Sequence, residues 1–341
     1  MREKLSDVLP HGVIFSIFAA IITVYFRERN DYNYKCRHKN DKERNRMKNY
    51  LKFVSAILIA AVLSACSTGG GTDNPTAGTN NTGNEVTPSM TSTTTPDEIY
   101  GKSGLLKNST VVFTGDSITD GYRVDRSDPN DLGKNNYVTM FNDFIQTNFP
   151  EDNIKVYNTG HSGYWIQHLH DSVQSFVYDL DPDYLIVNIG TNNAWFDKSP
   201  IETVEKEYRS LIDELMAKTH ARIILVQPYL FECDTILDGV PTNEYIPRMN
   251  QISDIVCRVA AEKKLPVIFY SEIFRQAMDK MDFVYKPLLS TDGIHPNTNG
   301  YRMFCDALCT EIKLPGYTPK FRFDFTDIKA QYGIVSWSDV N

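Results

Sequence analysis

A serine, an aspartate and a histidine stand where nucleophilic catalysis could use them. Ser117 lies in Gly115-Asp116-Ser117-Ile118-Thr119-Asp120-Gly121, directly after an apolar run, where the glycine permits a sharp turn and the serine hydroxyl would be exposed. Near the other end, Asp292-Gly293-Ile294-His295-Pro296 puts a carboxylate and an imidazole on one turn. Asp292 can then accept the His295 Nδ1 proton, leaving Nε2 to take a proton from a serine. Two more loops belong with these, Asn158-Thr159-Gly160-His161-Ser162-Gly163 and Gly190-Thr191-Asn192-Asn193. Each block alone has a plainer reading. Ser117 could cap a helix, Gly160 and Asn192 could serve turns, and His295 could close a loop before Pro296.

The chain between these blocks says how they would be positioned. Thr110 to Thr114, Ile154 to Tyr157, Tyr184 to Ile189, Arg222 to Val226 and Pro266 to Tyr270 are apolar nearly throughout, as strands buried on both faces must be. Amphipathic stripes alternate with them: Tyr137, Met140, Phe141, Phe144 and Ile145, then Val204, Tyr208, Leu211, Ile212 and Leu215. The alternation predicts an α/β fold, a flavodoxin-like doubly wound parallel sheet of about five strands sandwiched by helices. Its site should lie beyond the carboxyl ends of the strands, and the blocks fall there.

The four blocks, in this order, resemble the SGNH hydrolases, also called GDSL-type esterases, over about residues 108–314. The resemblance implies a carboxylic ester hydrolase without cofactor. Ser117 would be the nucleophile, His295 the base that later protonates the leaving group, and Asp292 the residue that orients it. The oxyanion hole would comprise the Ser117 and Gly160 backbone N–H groups and the Asn192 side-chain amide. One departure stands out. The family usually has aspartate after the third-block asparagine, where this chain has Asn193, which puts loop stiffness and the His295 pKa in question.

Other readings of the same residues are weaker. Gly160-His161-Ser162-Gly163-Tyr164 approaches a nucleophile elbow, but Tyr164 stands where the second glycine is needed. His161, His168 and His170 lack a clear further ligand, so no metal site is expected. Of the six cysteines, Cys233, Cys257, Cys305 and Cys309 fall in the body; Cys305 and Cys309 belong to a helical apolar stripe, and three pairings stay open.

Composition and charge complete the picture. The net charge is -8, but residues 1–66 hold 12 of the 35 Lys+Arg and 6 of the 43 Asp+Glu, so the rest carries 23 against 37, or -14. That balance, with no basic stripe, excludes a nucleic-acid partner. From Met47, a basic stretch, the apolar run Phe53 to Ala65 and Leu63-Ser64-Ala65-Cys66 succeed one another as in a secretory signal, and the ending resembles a bacterial lipobox. This predicts a true start at Met47, lipidation of Cys66 and an exported domain anchored on the extracytoplasmic face of the membrane. Read the other way, Gly12 to Phe26 would be a membrane segment. In residues 67–100, 25 of 34 are Ser, Thr, Gly, Asn or Pro. A flexible linker over 67–107 is therefore expected, then a catalytic domain over 108–316 and a tail over 317–341. In that tail Phe321, Phe323 and Phe325 alternate as in an added edge strand.

Aromatics follow each block, with Tyr122, Trp165 and Trp195 the candidate substrate contacts. Short loops and an exported arm favour removal of small acyl groups, chiefly acetyl, from carbohydrates, small molecules or polysaccharides. A broad lipid or aryl esterase, or a lysophospholipase, is the alternative within enzymes. A non-catalytic carbohydrate-binding lipoprotein is the alternative outside them.

Overall fold

The computed structural model describes residues 99–229, 236–237, 240–241, 244–281, 290 and 292–340. The signal-like segment, Cys66, most of the linker and Cys233 lie outside the described residues. No helix among the described residues is long and apolar enough to cross a membrane.

Five parallel strands form the sheet: β1 (Thr110–Gly115), β2 (Lys155–Asn158), β3 (Tyr184–Asn188), β4 (Arg222–Gln227) and β5 (Val267–Phe269). Their order is β2-β1-β3-β4-β5. The apolar runs expected to be strands are those strands, because both faces are covered. Val111 and Phe113 of β1 enter one cluster with Tyr137, Phe141, Ile273, Phe274 and Phe304, while Val112 enters the opposite cluster with Leu169, Val204, Leu211 and Ile255. Each such fully buried side chain contributes about 1.5–3 kcal/mol.

The helices follow the predicted order. A single turn, α1 (Ser117–Asp120), leads to α2 (Tyr137–Asn148), α3 (Ile166–Phe176), the short α4 (Thr191–Trp195), α5 (Ile201–Lys218), α6 (Ile246–Lys263), α7 (Tyr270–Met281) and α8 (Thr298–Glu311). Helices α2, α7 and α8 cover one face; α3, α5 and α6 cover the other. The connectivity reverses between β1 and β3, which opens a crevice at the carboxyl ends of those strands.

Both expected chain boundaries need correction. Residues 99–107 are not linker but part of the fold. Leu105 is buried, the Asp152 carboxylate accepts the Lys102 and Ser103 N–H groups (3.0 and 2.7 Å), and the Tyr184 hydroxyl accepts Leu106 N–H (2.9 Å). Among its described residues the tail adds no strand. It forms helix α9 (Thr326–Tyr332) and a final turn at Trp337–Asp339. Its backbone bonds to helix side chains instead, Phe321 N–H to Asp306 of α8 (2.8 Å) and Asp324 N–H to Gln276 of α7 (3.0 Å). The alternating phenylalanines therefore pack on the two clusters without joining the sheet. Trp337 is buried with its ring 5.8 Å from that of Tyr184, so Tyr184, at the start of β3, binds both ends of the described domain.

Cys257, Cys305 and Cys309 are buried free thiols, with Cys305 and Cys309 Sγ 3.7 Å apart on α8.

Candidate active site

Ser117 opens α1 at the end of β1. Asp116 caps this turn, its Oδ1 accepting Ile118 N–H at 3.0 Å, and Gly121 closes it in the left-handed region. Asp292 and His295 arrive from the opposite end of the chain on a tight turn before α8. Asp292 Oδ1 accepts the Ile294 and His295 N–H groups (2.9 and 2.7 Å), and Ser290 Oγ donates to the His295 carbonyl (2.7 Å). So held, His295 places Nδ1 2.6 Å from Asp292 Oδ2 and Nε2 2.8 Å from Ser117 Oγ. With the ring proton on Nδ1 donated to Asp292, Nε2 is the acceptor for the serine hydroxyl. This arrangement can generate a serine alkoxide and return its proton to a leaving group.

Electrostatics favour that direction of transfer. Burial alone would raise the Asp292 carboxyl, but the His295 hydrogen bond and charge and the two N–H donors hold it at about 2. Burial pulls the His295 imidazolium down; the hydrogen bond and charge of Asp292, with the charges of Asp116 and Asp120, outweigh it and leave its pKa above the usual histidine value. Asp116 is pushed up to about 6, chiefly by burial, with Ile118, Thr191 and the His295 charge pulling back. The rate of ester hydrolysis should therefore rise as His295 loses its proton, with the acid limb of kcat/KM above the ordinary histidine value of about 6.5. A pH series on nitrophenyl acetate checks this: Asp292→Asn should move the limb down, and a wild-type limb below about 6 would contradict it.

Hydrogen-bond accounting identifies the donors left for an oxyanion. In the block-two loop the N–H groups of Asn158, Thr159, Gly160, His161, Ser162 and Tyr164 go respectively to Pro129 O, Phe113 O, Asn158 Oδ1, Gly115 O, Asp120 Oδ2 and His161 O. Gly160 N–H is therefore not the free donor the sequence reading expected: it is spent on Asn158 Oδ1 at 2.9 Å. Gly160 is glycine because a Cβ there would lie 2.3 Å from Asp120 N. The loop N–H without an acceptor among the described residues is that of Gly163, at φ 83. In α1 the corresponding free group is Ser117 N–H. Asn192 gives one amide hydrogen to Tyr164 O (2.7 Å) and keeps the other.

The remaining candidates separate clearly. Ser162 Oγ donates to Asp120 (2.6 Å), with no histidine among its hydrogen-bond partners, which removes it as a nucleophile. Asn193 explains its own departure from the family pattern: its Oδ1 accepts Ile166 N–H at the start of α3 (3.0 Å) while Nδ2 donates to Asp197 (3.1 Å). An aspartate could not make the second bond. Trp195 is no substrate contact, since its indole is buried and stacked 3.9 Å from Tyr245. Trp165 is half-buried against His168, and Tyr122 is exposed. His170 pairs with Glu214 (2.8 Å), and no group of three His, Cys, Asp or Glu among the described residues could hold a metal.

Comparison with known proteins agrees with this architecture. The model of the GDSL-like lipase/acylhydrolase family matches residues 113–303, more than half of the chain. An acetylxylan esterase of Geobacillus stearothermophilus is 26% identical over 212 residues, covering 59% of this chain and 93% of that one. Its crystal structure overlays with a TM-score of 0.53 at 24% identity, covering 62% and 96% of the two chains. An α/β hydrolase from the metagenome of Lake Arreo, Spain, gives 0.51 at 27% identity, covering 60% and 94%. From the matched segment, the sheet order and the strand-end blocks, this chain belongs to the GDSL-like lipase/acylhydrolase family and is a carboxylic ester hydrolase.

Proposed function

We propose that the protein is a serine esterase that removes small acyl groups, chiefly acetyl, from carbohydrates. The observation that carries the reading is the unbroken chain Asp292–His295–Ser117, at 2.6 and 2.8 Å. Ser117 Oγ attacks the ester carbonyl carbon while its proton passes to His295 Nε2. The carbonyl oxygen becomes an oxyanion, met by Ser117 N–H, Gly163 N–H and the second Asn192 amide hydrogen, and His295 then protonates the departing sugar oxygen as the C–O bond breaks. Water attacks the acyl-enzyme with His295 as base. The intermediate collapses to release acetate, and the proton returns to Ser117.

The substrate class is supported by the acetylxylan esterase relative and by the shortness of two described loops at the strand ends. Only Tyr164 and Trp165 separate Gly163 from α3, and α4 follows β3 after two residues. The exposed Tyr122 and half-buried Trp165 are the aromatic faces open to a sugar ring. An acyl-chain series of nitrophenyl esters, run beside acetate release from acetylated xylan, tests this. Acetyl should be preferred to butyryl by more than about tenfold in kcat/KM, although each added methylene could contribute at most about 0.8 kcal/mol if it found an apolar pocket. Rates climbing from acetyl to octanoyl, with no acetate from xylan, would overturn the carbohydrate reading in favour of a lipid or aryl esterase.

A further inference from the structure

Three residues after the nucleophile, Asp120 is a fully buried carboxylate with no part in the proton relay. Its bonds tie the segment after the nucleophile to the block-two loop. Oδ2 accepts Ser162 N–H (3.0 Å), Ser162 Oγ (2.6 Å) and Arg126 Nε (2.5 Å), and Oδ1 accepts Arg123 N–H (3.0 Å). Arg123 in turn sends Nη1 to the Gly160 carbonyl (2.9 Å) and Nη2 to the Asp128 carbonyl (2.7 Å). From the other side, Asn158 Nδ2 donates to Thr119 O at 2.8 Å. The block-two loop is thus clasped to the turn that carries Ser117, and the clasp holds both the residue before Gly163 and the carbonyl of Gly160.

We infer that Asp120 is a positioning residue for the oxyanion hole, anchoring Ser162 so that the Gly163 N–H that follows it is presented, unpaired, beside the nucleophile. The inference rests on the reading of Gly163 as an oxyanion donor. A peptide N–H can point at a charge that exists only in the transition state if the groups around it are already committed. Ser162 is committed to Asp120 through both its N–H and its hydroxyl, so the residue from which the Gly163 peptide begins cannot shift without breaking bonds to a buried carboxylate. Burial works against the charge on Asp120, but the Ser162 hydroxyl, Arg126, and the Arg123 and Ser162 N–H groups outweigh it and keep the carboxyl below its usual range. The acceptor is therefore an anion throughout the working pH range. Misplacing an oxyanion donor by about 1 Å costs up to about 10²-fold in rate without weakening ground-state binding.

The test uses the full chain with nitrophenyl acetate. Asp120→Asn should lower kcat by about 10- to 100-fold with KM within about twofold, and should weaken inhibition by a phenylboronic acid, whose serine adduct is tetrahedral, by a similar factor. The thermal midpoint and circular dichroism identify the folded variant. In Asp120→Asn/Asn192→Ala the loss should be smaller than the product of the two single losses, because both act on one oxyanion. Wild-type kcat in folded Asp120→Asn, a loss confined to KM, or a double variant showing the full product would each overturn the proposal. Should Asp120→Asn fail to fold, Ser162→Ala at an exposed position carries the test. It should lose about 3- to 10-fold in kcat alone, and wild-type kcat there would overturn the proposal equally. Activity that survives Ser117→Ala would mean the esterase site itself is misassigned, whereas an inactive Ser117→Ala beside a fully active Asp120→Asn would refute the positioning role alone.

Discussion

Ser117→Ala is expected to abolish both ester hydrolysis and labelling by a fluorophosphonate, with a fall in kcat of about 10⁶-fold. The size follows from the way the three groups act as one unit. The hydroxyl at 2.8 Å from His295 Nε2 is the attacking atom, and without it an imidazole poised by Asp292 has no proton to take. His295→Ala should cost nearly as much, and the double variant hardly more than either. Asn192→Ala should behave differently, losing about 10²- to 10³-fold in kcat with little change in KM, because its amide meets charge absent from the ground state. Labelling that persists in Ser117→Ala but vanishes in Ser162→Ala would reverse the assignment.

Gly115→Ala is expected to destabilise the domain severely and to slow the reaction as well. The strands β1 and β3 meet at Gly115 and Asn188, and a Cβ on residue 115 would lie 2.0 Å from the Asn188 carbonyl oxygen and 2.9 Å from Thr119 Oγ1. At φ 152 the backbone is also one that an L side chain rarely adopts. Overpacking against backbone and the local strain together come to about 3–5 kcal/mol, a large share of the whole stability of a domain. Relief requires β1 to part from β3 where the Ser117 turn begins, so kcat should fall more than about tenfold even at temperatures where the variant stays folded. Denaturant titration and low-temperature kinetics measure the two effects, and a variant within about 1 kcal/mol of wild type would show that the strands separate easily.

The fold was legible because parallel strands covered on both faces must be nearly apolar throughout, and short runs such as Tyr184–Asn188 alternate with amphipathic helical stripes. The proton relay was legible for a different reason: Asp292 and His295 share one turn, so their contact is local even though Ser117 is distant in sequence. Of the free N–H groups, that of the block-two loop was not legible. Gly160 and Gly163 are both glycines of one loop, and only the position of the Asn158 and Asp120 side chains decides which N–H is spent. Trp195 was obscured by the shortness of α4, whose five residues are too few for periodicity to reveal a buried side. The tail misled because Phe321, Phe323 and Phe325 carry a strand's alternation, while the groups that capture its backbone, Asp306 and Gln276, come from helices elsewhere in the sequence.

Tyr184 gives the domain a polarity. It sits at the amino end of β3, where its hydroxyl holds the incoming segment at Leu106 and its ring meets Trp337 near the outgoing end. Asn188, at the far end of the same strand, abuts the Ser117 turn. The four steps from Tyr184 to Asn188 place about 13 Å between those two levels. Ile99, whose carbonyl accepts Lys107 N–H, therefore lies at the pole opposite the catalytic crevice, so the segment that opens the described domain and the nucleophile turn are braced by the two ends of one strand.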